Sequence, residues 1–111
     1  MNPGARAEQV AAEFLLRHGL KLLQTNYRCR FGEIDLILKD GETLVFAEVR
    51  KRGRSDFGGA AASIDAHKQH RLILTAQHFL ASLPRLPPCR FDAVLLDAAD
   101  NIEWIKNAFE L

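Results

Sequence analysis

Cysteine is scarce in this chain. The 111 residues hold two, Cys29 and Cys89, and neither sits in a CxxC pair or beside a histidine motif. That pattern excludes a zinc site of ordinary spacing and points to a reducing compartment. Long apolar runs are missing too. None approaches the ~20 residues that a membrane helix needs, and no signal-peptide pattern opens the sequence. The expected location is therefore cytoplasmic, with no membrane as partner. Charge of one sign is also lacking: 15 Lys and Arg stand against 14 Asp and Glu, for a net charge of +1. No global field draws such a chain onto nucleic acid, so any binding of that kind must come from local clusters. There is no internal repeat, low-complexity segment or interdomain linker. The length fits one domain over residues 1–111, large enough to bury a modest core.

What is present in abundance is apolar sequence interrupted by acids. Gly32-Glu33-Ile34-Asp35-Leu36-Ile37 and Phe46-Ala47-Glu48-Val49-Arg50 read as two strands, although carboxylates are disfavoured in strands and rarely buried without a partner. Asp40-Gly41 between them is a hairpin signal of type I′. With those two residues at the turn, Lys39 faces Glu42, Asp35 faces Phe46 and Glu33 faces Glu48. Alternation then puts Glu33, Asp35, Ile37, Leu44, Phe46, Glu48 and Arg50 on one face. Ile34, Leu36, Leu38, Val45, Ala47 and Val49 take the other. Asp35 and Glu48 become diagonal neighbours, roughly 7–8 Å apart at Cα, a spacing at which a cation fits between two carboxylates. The plainer alternative is a solvated sheet face whose acids pair with Arg50 and Arg52.

The flanking segments read as helices and further strands. Ala5 to about Leu20 carries Ala7, Ala11, Phe14, Leu15 and His18 on one stripe at helical spacing, with Gly19 at its end. Glu13 lies on the solvent side. Glu8 lies at the edge of the stripe, either as a snorkelling surface acid or reaching toward whatever the helix packs on. Leu20 to Arg28 is a strand of mixed pattern, and Arg28 to Gly32 is a turn with two arginines. After the hairpin comes the basic cluster Arg50, Lys51, Arg52 and Arg54. It is either a solubilising loop or a phosphate-holding one. Ser55 to Ala62 is rich in Gly and Ala.

Ser63 is the expected N-cap of a second helix, with Asp65 in its first turn, running to about Leu83 before Pro84. Its apolar line of Leu72, Ala76, Phe79 and Leu83 passes backward through Lys68. That lysine either snorkels or points into the acidic site. His67 and His70 read as surface residues. A strand over Cys89–Asp97 includes another acid, Asp92. Asp100-Asn101 makes a turn, and Ile102–Ile105 forms a last short strand. Helix, three strands, helix and two strands give an α/β class, with a sheet covered on both faces by helices.

These residues carry a resemblance. Gly32-Glu33-Ile34-Asp35-Leu36-Ile37, Phe46-Ala47-Glu48-Val49-Arg50-x-Arg52, Arg90-Phe91-Asp92 and Asn107-Ala108-Phe109 resemble the YraN family of small bacterial proteins across nearly the whole chain. That family resembles the restriction-endonuclease-like PD-(D/E)xK superfamily, nearest in layout to archaeal Holliday-junction resolvases. The resemblance implies an αβββαβ core, a mixed sheet of about five strands between two helices, and a Mg²⁺ or Mn²⁺ site. It implies Asp35 as the first acid, Glu48 as the second and Glu8 as the helical acid, with all three as metal residues. Arg50 stands where the superfamily has lysine. Arginine cannot release its proton, so it can hold phosphate but cannot act as a base. Lys68 is the stand-in amine.

The expected catalytic set is thus Asp35, Glu48, Arg50 and Lys68, with Arg50, Lys51, Arg52 and Arg54 as the nucleic-acid contacts. Nucleic acid, DNA in particular, is the expected partner, and a homodimer is left open. Three readings follow: a metal-dependent DNA endonuclease for branched or junction substrates, a binding module that keeps the nuclease fold without turnover, and a structural protein whose acids are paired internally.

Overall fold

The computed structural model describes residues 3–51 and 64–109. In chain order these form α1 (Pro3–Arg17), β1 (Lys21–Cys29), β2 (Gly32–Asp40), β3 (Thr43–Lys51), α2 (Ala66–Leu80), β4 (Cys89–Leu96) and β5 (Ile102–Phe109). The strands make one sheet in the order β1-β2-β3-β4-β5. All neighbours are antiparallel except β3 and β4. A parallel pair needs a long crossover, and the connection between β3 and β4 contains α2. This is the expected α/β fold, with an αβββαβ core extended by a fifth strand.

Two apolar layers hold it together. Below α1, Ala7, Ala11, Ala12 and Leu15 pack on Leu36, Leu38, Val45, Ala47, Val94 and Leu96. Below α2, Leu72 and Ala76 pack on Ile37, Phe46, Phe91, Ala93 and Leu95. The period-two alternation of β3 and β4 therefore feeds both layers at once, as expected of strands covered on both faces. Phe14, expected on the α1 stripe, packs partly buried on its layer. His18 is exposed and rests on the Phe14 ring.

α1 ends in a Schellman motif. The Leu20 amide donates to Leu15 O and the Gly19 amide to Leu16 O, each at 3.1 Å, with Gly19 at φ +93°. That left-handed position suits glycine, and Leu15 and Leu20 complete the accompanying apolar contact.

The hairpin differs from expectation in a way that matters. Asp40 pairs with Thr43 and Leu36 with Ala47, so the turn residues are Gly41 and Glu42, one position further along. Gly41 has φ +59°, while Glu42 is not among the positive-φ residues. This is the type II′ pattern, which needs one left-handed residue and places glycine there. The type I′ turn would have forced Asp40 into that region. Every cross-strand partner moves by two positions, so the two faces are kept while the neighbours change.

Four further expectations are corrected. Ile34 packs in the α2 layer with Ile37, not with Leu36, because regular alternation breaks at Asp35. The N-cap of α2 is Asp65 itself, whose carboxylate accepts from the Lys68 amide at 2.8 Å. The helix stops at Leu80 with Ala81 as C-cap, short of Leu83. β5 runs on to Phe109 across a register shift opposite Asp92. Ser63, Arg52, Arg54 and the Ser55–Ala62 stretch lie outside the described residues.

Candidate active site

The site lies where β2 and β3 part. Their ladder ends at the pair Leu36 and Ala47. Continued by one residue, that register would face Asp35 toward Glu48, in place of the expected diagonal. Beyond the ladder, the Val49 amide donates to Asp35 Oδ2 at 2.9 Å. A side-chain carboxylate thus takes a donor that would otherwise belong to a strand partner. That bond fixes the carboxylate against the edge of β3 and accounts for a buried acid in an apolar strand.

Both acids are buried, Asp35 at 9% and Glu48 at 8% exposure. Glu48 Oε1 lies 3.8 Å from Lys68 Nζ, while Glu48 Oε2 is buried with no hydrogen-bond partner. The Glu48 carboxyl is pushed up to about 8, first by burial and next by the negative charge of Asp35, with Lys68 and then Arg50 pulling it down. Glu8, from α1, approaches from the other layer. Its pKa is raised by burial and by Asp35, while a hydrogen bond to Asn26 acts in the opposite direction. Asp35 thus has a glutamate on either side.

Asp92 provides the contrast. It is 1% exposed, yet its oxygens accept from Arg90 Nε at 2.9 Å, Arg90 Nη2 at 3.1 Å, Trp104 Nε1 at 2.9 Å and the Asn107 amide at 2.9 Å. Arg90 also reaches Asp40 at 3.0 Å. Asp92 is a structural acid, saturated with donors, and it anchors the irregular end of β5. Glu48 has the same burial class and lacks that provision. A buried carboxylate oxygen with no donor carries a desolvation cost that a cation would remove.

The residues therefore fit a divalent ion. Among the described residues no three His, Cys, Asp or Glu side chains converge closely enough to cage one. Asp35 and Glu48 would hold it, with Glu8 as outer support and with water or phosphate oxygens completing the shell. Magnesium is usually held in this way, by one or two carboxylates and retained waters.

An open cleft of about 410 Å³ leads to the two acids, lined by Arg28, Glu33, Asp35, Glu48, Lys68 and Arg71 among others. Lys68, expected on the buried line of α2, does reach the site. Arg50 is half-buried beside Glu48 in β3, and Lys51 is exposed at the strand end. Arg28 and Arg71 were not legible as site residues. Arg71 follows Lys68 by three positions and so shares its helix face, which was the available signal. Arg28 is brought in by the β1–β2 turn, and no local pattern marks it. His67 and His70 are exposed, as expected.

The sequence profile of the uncharacterised protein family UPF0102 matches residues 7–96, a span that includes Glu8, Asp35, Glu48 and Lys68. A UPF0102 protein of Nitrosomonas europaea is 59% identical over 111 residues, covering 98% of this chain and 94% of the relative. One from Nitrosospira multiformis is 56% identical over 110 residues, covering 97% and 92%. One from Methylobacillus flagellatus is 56% identical over 108 residues, covering 96% and 95%. Matched by that profile over most of its length and more than half identical to these relatives, the chain belongs to the uncharacterised protein family UPF0102.

Proposed function

We propose that this protein is a metal-dependent DNA endonuclease that hydrolyses phosphodiester bonds at the Asp35–Glu48 centre. One observation carries the reading: Glu48 Oε2 is buried without a donor beside a second buried acid and at the inner end of a cleft that also presents Lys68. A protein whose acids were paired internally would treat Glu48 as this one treats Asp92.

The chemistry follows from the side chains. When bound, a divalent ion lowers the pKa of a water and neutralises charge growing on the phosphate. Asp35 is held by the Val49 amide, so its carboxylate is already oriented toward such a site. Glu48 supplies a second carboxylate oxygen to which no donor group is directed, and in the metal-free protein its raised pKa lets it share a proton with Asp35. The Lys68 ammonium, 3.8 Å from Glu48 Oε1, places positive charge where a scissile phosphate would sit. Arg50 holds phosphate by its planar fork and takes no proton. Water adds to phosphorus, the bond to the leaving oxygen breaks, and that oxygen gains a proton. Lys51, at the exposed end of β3, supplies a further phosphate contact outside the centre, and Arg52 and Arg54, the basic residues next in sequence, are expected to add to it.

A second reading is a DNA-binding module without turnover. It is favoured by Arg50 at the place where the nuclease superfamily has lysine. One assay separates the two readings. Purified protein is incubated with branched, single-stranded and duplex DNA plus Mg²⁺ or Mn²⁺, beside Asp35→Ala. Cleavage that requires metal and Asp35 is the expected result. Binding without cleavage of any substrate in either metal would overturn the nuclease reading. In a calorimetric Mn²⁺ titration, the Asp35→Ala/Glu48→Ala double variant should show no heat of binding. A response equal to that of the wild type would remove the metal site.

A further inference from the structure

The cleft has a flank that the catalytic set does not use. The β1–β2 turn, Arg30-Phe31, lies between Cys29 and Gly32, both of which line the cleft. This turn is pressed against α2. Gly32 has φ +151°, and a Cβ there would stand 3.2 Å from Thr75 Oγ1 and 4.0 Å from Arg71 Cβ. Only glycine allows so close an approach in that conformation. The turn is therefore seated on the helix that carries Lys68.

What the turn presents is aromatic and basic together. The Arg30 guanidinium carbon lies 4.8 Å from the Phe31 ring centroid. Phe31 meets the His78 ring edge to face at 6.3 Å, and His78 in turn hydrogen-bonds the Tyr27 hydroxyl. Phe31 is half-buried, while Arg30 and His78 are exposed. Beside this patch, Arg28 and Arg71 line the cleft itself. Arg28 is paired with Glu33, whereas no carboxylate among the described residues pairs with Arg71. Aromatic rings and guanidinium planes stack nucleobases that have left the duplex, and each cation beside them tracks a phosphate. A paired base has no free face to offer.

We propose that the β1–β2 turn and the adjoining face of α2 form a track for an unpaired DNA strand, with Phe31 and Arg30 stacking a base and Arg71 holding a phosphate next to the scissile one. The proposal rests on the reading of the cleft as a nuclease site and names its substrate class: DNA with unpaired nucleotides at the cut, such as a flap or a branch. Fully paired duplex would contact the basic strand end but leave the stacking surface empty.

The test is binding in EDTA, where no hydrolysis intervenes. Fluorescence anisotropy is read with labelled oligothymidylate, a flapped duplex and a blunt duplex of the same paired sequence. Oligothymidylate and flap should bind more tightly than blunt duplex. Phe31→Ala should weaken the first two by about 5- to 150-fold, the range for losing one stacked base, and leave blunt duplex unchanged. Phe31→Leu, which keeps the apolar contact without a π-face, should weaken them in the same direction, and Phe31→Trp should retain or tighten binding. Arg71→Gln should reduce the slope of log affinity against log salt on oligothymidylate by about 0.7. Equal affinity for flap and blunt duplex would overturn the track, as would folded Phe31→Leu and Phe31→Ala that bind like the wild type. Absence of cleavage beside the expected binding pattern would overturn the nuclease reading alone. Metal-dependent cleavage with no preference for unpaired strands would overturn the track alone.

Discussion

Replacing Glu48 with glutamine should stabilise the metal-free protein. In the folded chain this carboxyl is raised from 4.5 to about 8, by burial first and by Asp35 second. The folded state therefore holds more protons than the unfolded state between those values. Stability is unaffected by this group below about pH 4.5, falls as pH rises through the window, and levels off above about 8. One unit corresponds to about 1.36 kcal/mol, so the gap between 4.5 and pH 7 corresponds to a cost on the order of 3 kcal/mol. Glutamine removes the ionisation, keeps the shape, and offers Asp35 an amide donor in place of a carboxylate. It also gives up the contact with Lys68, which becomes a full ion pair only as pH rises past about 8. A net gain of roughly 1–3 kcal/mol at pH 7, or about 5–15 °C in Tm for a domain of this size, is expected.

The assay is thermal unfolding in EDTA from pH 4.5 to 8.5, for wild type and Glu48→Gln. The wild-type curve should decline across the window and the variant curve should be flatter, with the two close together near pH 4.5. Saturating Mg²⁺ should reverse the advantage, since ligand at 100 times its Kd stabilises a site by about 2.7 kcal/mol and glutamine is a poor ligand. Such a crossing is what a residue kept for function at the expense of stability should produce. A variant less stable than wild type in EDTA at pH 7, with an unchanged pH slope, would refute the argument that Glu48 is a strained, unsatisfied acid.

Other variants separate the roles of neighbouring residues. Lys68→Ala should lower cleavage by about 10²-fold or more with DNA affinity nearly intact, because it acts on the chemical step. Arg50→Lys should retain or raise activity. An inactive Arg50→Lys beside a fully active Lys68→Ala would sink this division. Asp92→Asn should cost about 3–5 kcal/mol in denaturant unfolding, since it leaves Arg90 and two further donors poorly matched in the interior, while the Mn²⁺ titration stays as in wild type. Gly32→Ala should cost about 1–3 kcal/mol for backbone strain, measured in the same way.

The fold was legible because strand alternation and helical spacing are properties of short windows. Leu36, Leu38, Val45 and Ala47 were assigned together, as were Phe91, Ala93 and Leu95, and each set shares a layer. Parity also protected the site. The type I′ register and the observed one differ by two in partner, which leaves every side chain of β3 on its face, so either register brings Asp35 and Glu48 together. Ile34 was lost because alternation fails where the ladder parts, an event set by the Asp35 carboxylate bonding Val49. No pattern of apolar residues encodes that bond. The contrast between Asp92 and Glu48 was equally hidden. Both are single acids in apolar strands, and only long-range partners distinguish them: Trp104 and Asn107 for the one, Lys68 for the other.

That last distinction bears on how, in the proposed nuclease, the role of a strand lysine would be filled. In β3 the position two after Glu48 is Arg50, which cannot lose a proton. On the nuclease reading proposed above, an amine must come from another element, and its reach depends on where α2 begins. Asp65 caps the helix and accepts from the Lys68 amide. The cap thus fixes Lys68 in the first turn, at the end nearest the cleft. Thr75, buried and donating to Arg71 O at 2.7 Å, seats the same helix against Gly32. Cap and glycine contact together set the axial position of α2, and with it the 3.8 Å between Lys68 Nζ and Glu48 Oε1. A lysine supplied from a helix can be tuned independently of the strand that holds the acids. On that proposed reading Arg50 serves phosphate alone, so its substitution by lysine should be tolerated where loss of Lys68 is not.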